Sequence, residues 1–345
     1  MAAMVEATDH AFWPGGEPPE AEIAPIREQL AVLSGIEASV LGNRELFGRL
    51  AARAMLPFMT DAVGRWRPDL ILRDPCEYSS AAVAATADLD VAQVAISFAE
   101  AEWGSIAVAA PALDELRPGL AEFVRATPYW TRFPAALDPS PFPTTVRTRE
   151  TADRAPRPLP RWWGDDDRRL VYVTFGTVLG YMNTAATAFD AVCEAVANLD
   201  ARVLLTVGPA FDPGKLASVP SHVHVERWVD QIDVFAAADA VVCHGGSGTT
   251  LGALAAGVPM VLVPRFADQF LNTERVAHSG AGIAVTTGTG SDGQRQPLTI
   301  DDAPRIRAAL DQVRTDRAYG DAARRVSITM SIAPTPDQIL RQHRV

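Results

Sequence analysis

Two kinds of apolar run alternate along this chain: short unbroken ones, and longer ones at helical spacing. From Leu170 to Phe175 only Thr174 interrupts a run of apolar and aromatic residues, the mark of a parallel strand buried on both faces. Residues 184–199 then carry apolar positions at helical spacing, and 202–207 read as the next strand. The alternation continues with a strand at 223–225, a helix at 230–238, a strand at 240–243 and a helix from Gly248 or Thr249. A strand at 258–263, a helix at 269–279 and a strand at 282–285 follow. This series predicts a doubly wound α/β domain. A helix over 304–328 and a short one from Pro336 close the chain.

The first half is less regular. Residues 1–25 are acidic and rich in Pro and Gly, without periodicity, and 26–66 read as helical. A short buried strand is expected over 68–74, ending at Asp74, then a helix at 79–87 and a strand at 91–97, which make one βαβ unit. Residues 99–135 read as helical and irregular. Prolines 134, 139, 141, 143, 156, 158 and 160 mark the stretch between the halves as the linker candidate. The expected division is a domain over 1–150, a linker at 151–167, a second domain over 168–330 and a terminal helix at 331–345.

A formal net charge of −11 argues against general affinity for nucleic acid or an anionic membrane, while leaving a local nucleotide pocket open. Cys76, Cys193 and Cys243 are few and far apart, so neither a disulfide framework nor a zinc site is expected, and a cytoplasmic location is the simple reading. The uncharged stretch 240–264 is broken by glycines and prolines and reads as strand, turn, helix and strand, with no membrane span.

The chemistry concentrates where strand 240–243 delivers His244 to the carboxyl edge of the sheet. Gly245, Gly246 and Gly248 follow, interleaved with Ser247 and Thr249, and a helix begins. Glycines let backbone N–H groups approach a ligand, and a helix start leaves those donors unpaired with a partial positive charge. Together with the His, Ser and Thr side chains they favour a phosphate. His244 donates to a phosphate oxygen, more strongly if protonated. A diphosphate gains charge as it leaves, so the same donors would stabilise a transition state. Trp228 lies past a strand end and offers a ring for a nucleobase, or belongs to the core. Gln231 could pair with base or ribose. Asp268 and Gln269 follow the next strand end and suit sugar hydroxyls, or Asp268 caps the following helix.

These residues resemble the nucleotide-sugar signature of the family 1 glycosyltransferases of the GT-B fold, including bacterial antibiotic transferases. The matching pieces are VTFGT, RWVDQIDVFAAADAVVCHGGSGTTLGALAAGVPMVLVP and ADQFLNTERV. The resemblance implies two facing Rossmann-like domains, the first binding a hydrophobic small-molecule acceptor and the second a UDP- or dTDP-sugar. It implies that Trp228 stacks on the base with Gln231 near it, and it counts Val229 among the donor-binding residues. Thr177, His244, Gly246, Ser247, Gly248 and Thr249 would hold the diphosphate, and Asp268 and Gln269 the sugar. No metal or other cofactor is implied, and the anomeric carbon inverts. Plant members carry a ribose-binding Glu eight residues after the His. Here that position is Gly252, which favours a donor with fewer ribose hydroxyls.

The family opens with a strand and a Gly-His turn bearing the general base. This chain shows no such opening, so its first domain is expected to be incomplete. Asp74 resembles the Asp that orients that base, or it caps the turn before the next helix. His10 lies in the acidic Pro/Gly-rich start with no strand before it. Phe98, Trp103, Ile106, Val108, Tyr129, Trp130 and Phe133 suit an apolar acceptor or a core equally. Two further readings fit the same residues: a relative that binds nucleotide sugar without turnover, and a nucleotide-sugar epimerase. The DxD matches at Asp88–Asp90 and Asp165–Asp167 read as turns, and the GxGxxG at Gly288–Gly293 as a loop. His222 and His224 lack a third ligand at metal spacing.

Overall fold

The computed structural model describes the whole chain except residues 1, 9, 31–32, 34, 150–153, 289–295 and 343–345, and the last five positions of Gly288–Gly293 are among those left outside. Two compact units emerge, Met1–Thr131 with Pro139–Val146, and Arg132–Asp138 with Arg147–Val345. The first contains helices α1 (Ala2–Glu6), α2 (Glu20–Leu30), α3 (Gly35–Leu41) and α4 (Ala52–Trp66), strand β1 (Leu70–Arg73), helix α5 (Ser79–Ala87) and strand β2 (Asp90–Val94). Helices α6 (Ala99–Leu116) and α7 (Leu120–Ala126) and strands β3 (Tyr129–Thr131) and β4 (Thr145–Arg147) follow, β4 running one residue past the boundary. The sheet order is β1-β2-β3-β4, with β1, β2 and β3 parallel.

Three features of this unit differ from the sequence reading. The start of the chain is helical at Ala2–Glu6, and α2 begins at Glu20, where Glu20 and Glu22 in the first turn complement the helix dipole. The predicted helical region 26–66 is interrupted by π-helical winding over Gly42–Ala51. Residues 129–131 are a buried strand rather than helix, and the proline-rich stretch contains β4.

The second unit contains β5 (Leu170–Thr174), α8 (Ala185–Val196), β6 (Arg202–Thr206), β7 (Val223–Glu226), α9 (Gln231–Phe235), β8 (Ala238–Cys243) and α10 (Ser247–Ala255). Then come β9 (Met260–Leu262), α11 (Gln269–His278), β10 (Gly282–Ala284), α12 (Ala303–Thr315), α13 (Arg317–Ser331) and α14 (Pro336–Gln342). The predicted single helix over 304–328 is two helices. Asp316 is extended, and its carboxylate accepts the Ala318 N–H at 2.9 Å, ending one helix and capping the next.

The second sheet runs β10-β9-β8-β5-β6-β7, and every recorded pairing in it is parallel. The chain winds outward from β5 in one direction, then returns to place β8 on its other side. That reversal opens a crevice at the carboxyl ends of β5 and β8, where ligands of doubly wound sheets bind. All five residues of β5 are buried, and the apolar core joins β5, β6 and β8 to α8 and α12.

Phe189 of α8 is fully buried, with its ring centroid 4.8 Å from Phe211 and 6.0 Å from Phe175. Phe189→Ala is expected to cost about 3–5 kcal/mol of folding stability, read from denaturant unfolding of the variant against the parent.

Candidate functional site

A cleft of about 500 Å³ lies at the carboxyl ends of β5 and β8 in the second unit. Of the residues singled out from sequence, Thr177, Trp228, Val229, Gln231, His244, Gly246, Ser247, Gly248, Thr249 and Gln269 line it. Asp268 does not line it but touches one of those residues. Its Oδ2 accepts the Ser247 hydroxyl at 2.9 Å and the Asn272 amide at 3.1 Å. Asp268 makes no side-chain cap bond to α11, so it joins the turn instead of capping the helix. Gln269 is 3% exposed, and its Oε1 accepts the backbone N–H groups of Arg265 and Phe266 at 2.8 and 3.1 Å.

The turn is built around one imidazole. Gly176, just past β5, has φ +70°, and a Cβ there would lie 2.9 Å from the His244 ring. A Cβ on Gly246 would lie 2.3 Å from His244 Nε2. The ring therefore fits only because both neighbours lack side chains. Its Nδ1 is sealed from solvent without a well-formed hydrogen bond. Burial pushes the imidazole down to about 4, against opposing pulls from the Thr174 backbone and the Asp268 carboxylate. His244 is thus neutral at pH 7, and the protonated form entertained from sequence is not the resting one. It lies beside the unpaired N–H groups of the first turn of α10, which starts one residue earlier than predicted, at Ser247.

At the other end of the cleft Trp228 is 68% exposed, an indole with no place in the core. The Trp228–Gln231 turn is pinned from outside by Arg154, whose guanidinium donates to Asp230 at 2.6 Å and to Asp233 at 2.6 and 2.7 Å. Asp230 also caps α9. Four polar cleft residues had no role in the sequence reading: Arg227, Tyr172, Thr174 and Thr206. Arg227 was legible as a cation beside the tryptophan. The other three lie inside strands, where their pattern reads only as core.

Gly252, which stands where plant transferases carry a Glu, has no room for a side chain. A Cβ there would lie 2.4 Å from the ring of Phe235.

In the first unit, Asp74 follows β1 and is exposed; its Oδ1 accepts the Cys76 N–H at 2.8 Å and shapes the turn. Glu102, near the start of α6, is 4% exposed, and its Oε1 accepts the Ile96 and Ser97 N–H groups at 2.8 and 2.7 Å. Burial pushes its carboxyl up to about 8. His10 is exposed and outside any helix or strand. Phe98, Ile106, Tyr129, Trp130 and Phe133 are each at most 3% exposed, so of the two readings of that stretch these five take the core one. His222 contacts the Val196 carbonyl, and His224 pairs with Glu226 and stacks on Trp162, so both have structural roles. No cluster of three His, Cys, Asp or Glu with metal-ligand geometry stands among the described residues. No described helix is long and apolar enough to cross a membrane.

Comparison with known proteins gives one family. Residues 18–176 match the N-terminal domain, and residues 190–344 the C-terminal domain, of the erythromycin biosynthesis protein CIII-like proteins. The L-demethylnoviosyl transferase of Streptomyces niveus is 30% identical over 96% of this chain and 88% of its own. Among solved structures, the glycosyltransferase SnogD from Streptomyces nogalater superposes with a TM-score of 0.76 at 23% identity, over 99% of this chain and 88% of its own. The glycosyltransferase VinC, solved in complex with DTDP, superposes with a TM-score of 0.68 at 20% identity, over 89% and 78%.

Between about pH 6.5 and about 4 the unfolded chain takes up a proton at His244 and the native chain does not. Native stability from this source is therefore lost as pH falls through that window. Melting curves of the parent and His244→Gln are expected to converge or cross on acidification, with the parent losing more. Parallel pH profiles would exclude a neutral buried imidazole.

Proposed function

The chain belongs to the family 1 glycosyltransferases of the GT-B fold, among the erythromycin biosynthesis protein CIII-like members, and we propose that it moves a hexose or deoxyhexose from a dTDP-linked donor to a hydroxyl of a hydrophobic small molecule. The acceptor oxygen attacks the anomeric carbon from the face opposite the diphosphate. The diphosphate leaves, and the configuration inverts.

The single observation that carries this reading is the donor set at the His244–Thr249 turn, at the switch point of the sheet. Charge grows on the leaving diphosphate, and fixed backbone N–H groups, the neutral His244 and the hydroxyl of Thr249 meet it without reorganising. Arg227 supplies the cation on the cleft wall. With such donors the step needs no metal and no other cofactor. Trp228 offers the base a stacking face, with Val229 beside it. Asp268, held by Ser247 and Asn272, takes the sugar hydroxyls together with Gln269.

The choice of dTDP rests on Gly252, where the Phe235 ring takes the space a ribose-binding carboxylate would need. The related VinC structure, solved with DTDP, is in keeping with it. The hydrophobic acceptor is supported by exposed apolar residues on the turn after β5: Val178, Tyr181 and Met182 are 54%, 75% and 41% exposed, and Val178 also lines the donor cleft. The acceptor hydroxyl gives its proton to a base, and Asp74 is assigned the role of orienting that base, for which the sequence before His222 offers only His10. Three free cysteines support a reducing cytosol.

Calorimetric titration tests the donor. A dTDP-hexose is expected to bind at least about tenfold more tightly than UDP-glucose, which is about 1.4 kcal/mol. His244→Ala is expected to weaken both. A tighter UDP-sugar would overturn the donor assignment. Nucleotide release is then followed with phenolic and macrolide acceptors: release that requires an acceptor is expected, and full donor binding with no release would point to a binding protein instead.

A further inference from the structure

A line of polar side chains runs along the floor of the donor cleft. The Gly176 N–H and the Thr206 hydroxyl both donate to Thr174 Oγ1, at 3.2 and 2.8 Å. The Tyr172 hydroxyl lies 3.0 Å from Thr206 Oγ1. Gln231 Nε2 reaches the Tyr172 oxygen at 3.1 Å and Thr249 Oγ1 at 3.3 Å. Tyr172, Thr174, Thr206 and Thr249 are each no more than 6% exposed, so a lost partner among them carries a desolvation cost.

Proton counting fixes the direction of the line. A hydroxyl carries one hydrogen. That of Thr206 is spent on Thr174, so Tyr172 donates to Thr206. The Tyr172 oxygen is then an acceptor toward Gln231, and only the amide nitrogen of Gln231 satisfies it. The two ends of a glutamine amide are alike in shape, and the committed hydroxyl protons choose between them. Both amide hydrogens are used, on Tyr172 and Thr249. The carbonyl oxygen of Gln231 carries none of these bonds, and the residue lines the cleft. The Phe235 ring packs edge-on against Tyr172 with centroids 5.9 Å apart, which holds the phenol in place.

We propose that Tyr172 is a positioning residue whose hydroxyl, oriented by Thr206, locks the Gln231 amide so that its carbonyl oxygen accepts a hydrogen bond from the 3′-hydroxyl of the bound nucleoside. The inference rests on the nucleotide-donor reading above and adds to it the group that sets how the nucleoside sugar is recognised. Without the Tyr172 hydroxyl only that of Thr249, which can donate or accept, remains to set the sense of the amide.

The test compares dTDP with 2′,3′-dideoxythymidine diphosphate, which lacks the hydroxyl in question, by calorimetry on the full chain. The parent is expected to bind dTDP roughly three- to tenfold more tightly, the range of one net hydrogen bond. Tyr172→Phe, nearly isosteric, is expected to leave the dideoxy affinity unchanged and to shrink that preference to about twofold or less. Thr206→Val removes the acceptor for the Tyr172 proton and is expected to do the same, and it serves if the first variant melts early. A preference that persists in a folded variant overturns the proposal, as does an equal loss for both ligands, which marks a merely structural tyrosine. A parent that binds neither nucleotide fails the donor reading itself, whereas a parent that binds both equally fails only this inference.

Discussion

Everything the second unit does follows from the need to place unpaired backbone N–H groups at a sheet edge without leaving them uncompensated. The chain winds out from β5 and back through β8, and the start of α10 meets that reversal at Ser247. Four donors at a helix start have no internal partner, and here they face a cleft. A neutral imidazole held between two glycines completes the cradle without adding a charge that would have to be desolvated. The arrangement suits a diphosphate because its donors are dipolar and fixed, so their effect grows with the charge on the leaving group.

Around that turn short polar contacts fix the cleft wall. Asn272 is fully buried, and its amide nitrogen reaches the Gly245 carbonyl at 2.8 Å, Ser247 Oγ at 3.1 Å and Asp268 Oδ2 at 3.1 Å. One side chain of α11 thereby ties the phosphate turn to the carboxylate assigned to the sugar. On the opposite side, Arg154 holds Asp230 and Asp233, so the segment entering the second unit braces the turn that displays Trp228. Both braces keep the cleft geometry set before a ligand arrives, which is where positioning gains its catalytic return.

The second unit was legible because β5, the end of β8 and β9 are short apolar runs, and because the turns after β5 and β8 carry glycines. The first unit was harder for a physical reason. β3 and β4 have three residues each, too few to show a period, and the prolines around β4 carry the signature of a linker. The helix at 303–331 concealed its break, since a single aspartate turning from strand-like to helical backbone leaves no mark on the apolar spacing. Within the site, the motif residues stood out because glycines, His and Ser cluster there. The Tyr172–Thr206–Thr174 line did not, because it depends on register: Thr174 pairs with Thr206 across β5 and β6, and Tyr172 lies two residues back on the same face. No single-strand pattern contains that information.

The packing of Phe235 over Gly252 limits what a single replacement at 252 can do. An acidic side chain introduced at 252 meets an aromatic ring that also supports Tyr172, so the ring has to shrink or swing away in the same step. Neither change alone is productive. A carboxylate without space is misplaced, and a smaller residue at 235 without the carboxylate leaves a void beside the phenol. The two positions are therefore coupled, and grafting an acidic residue at 252 alone transfers a letter of the signature but not the space that gives it meaning.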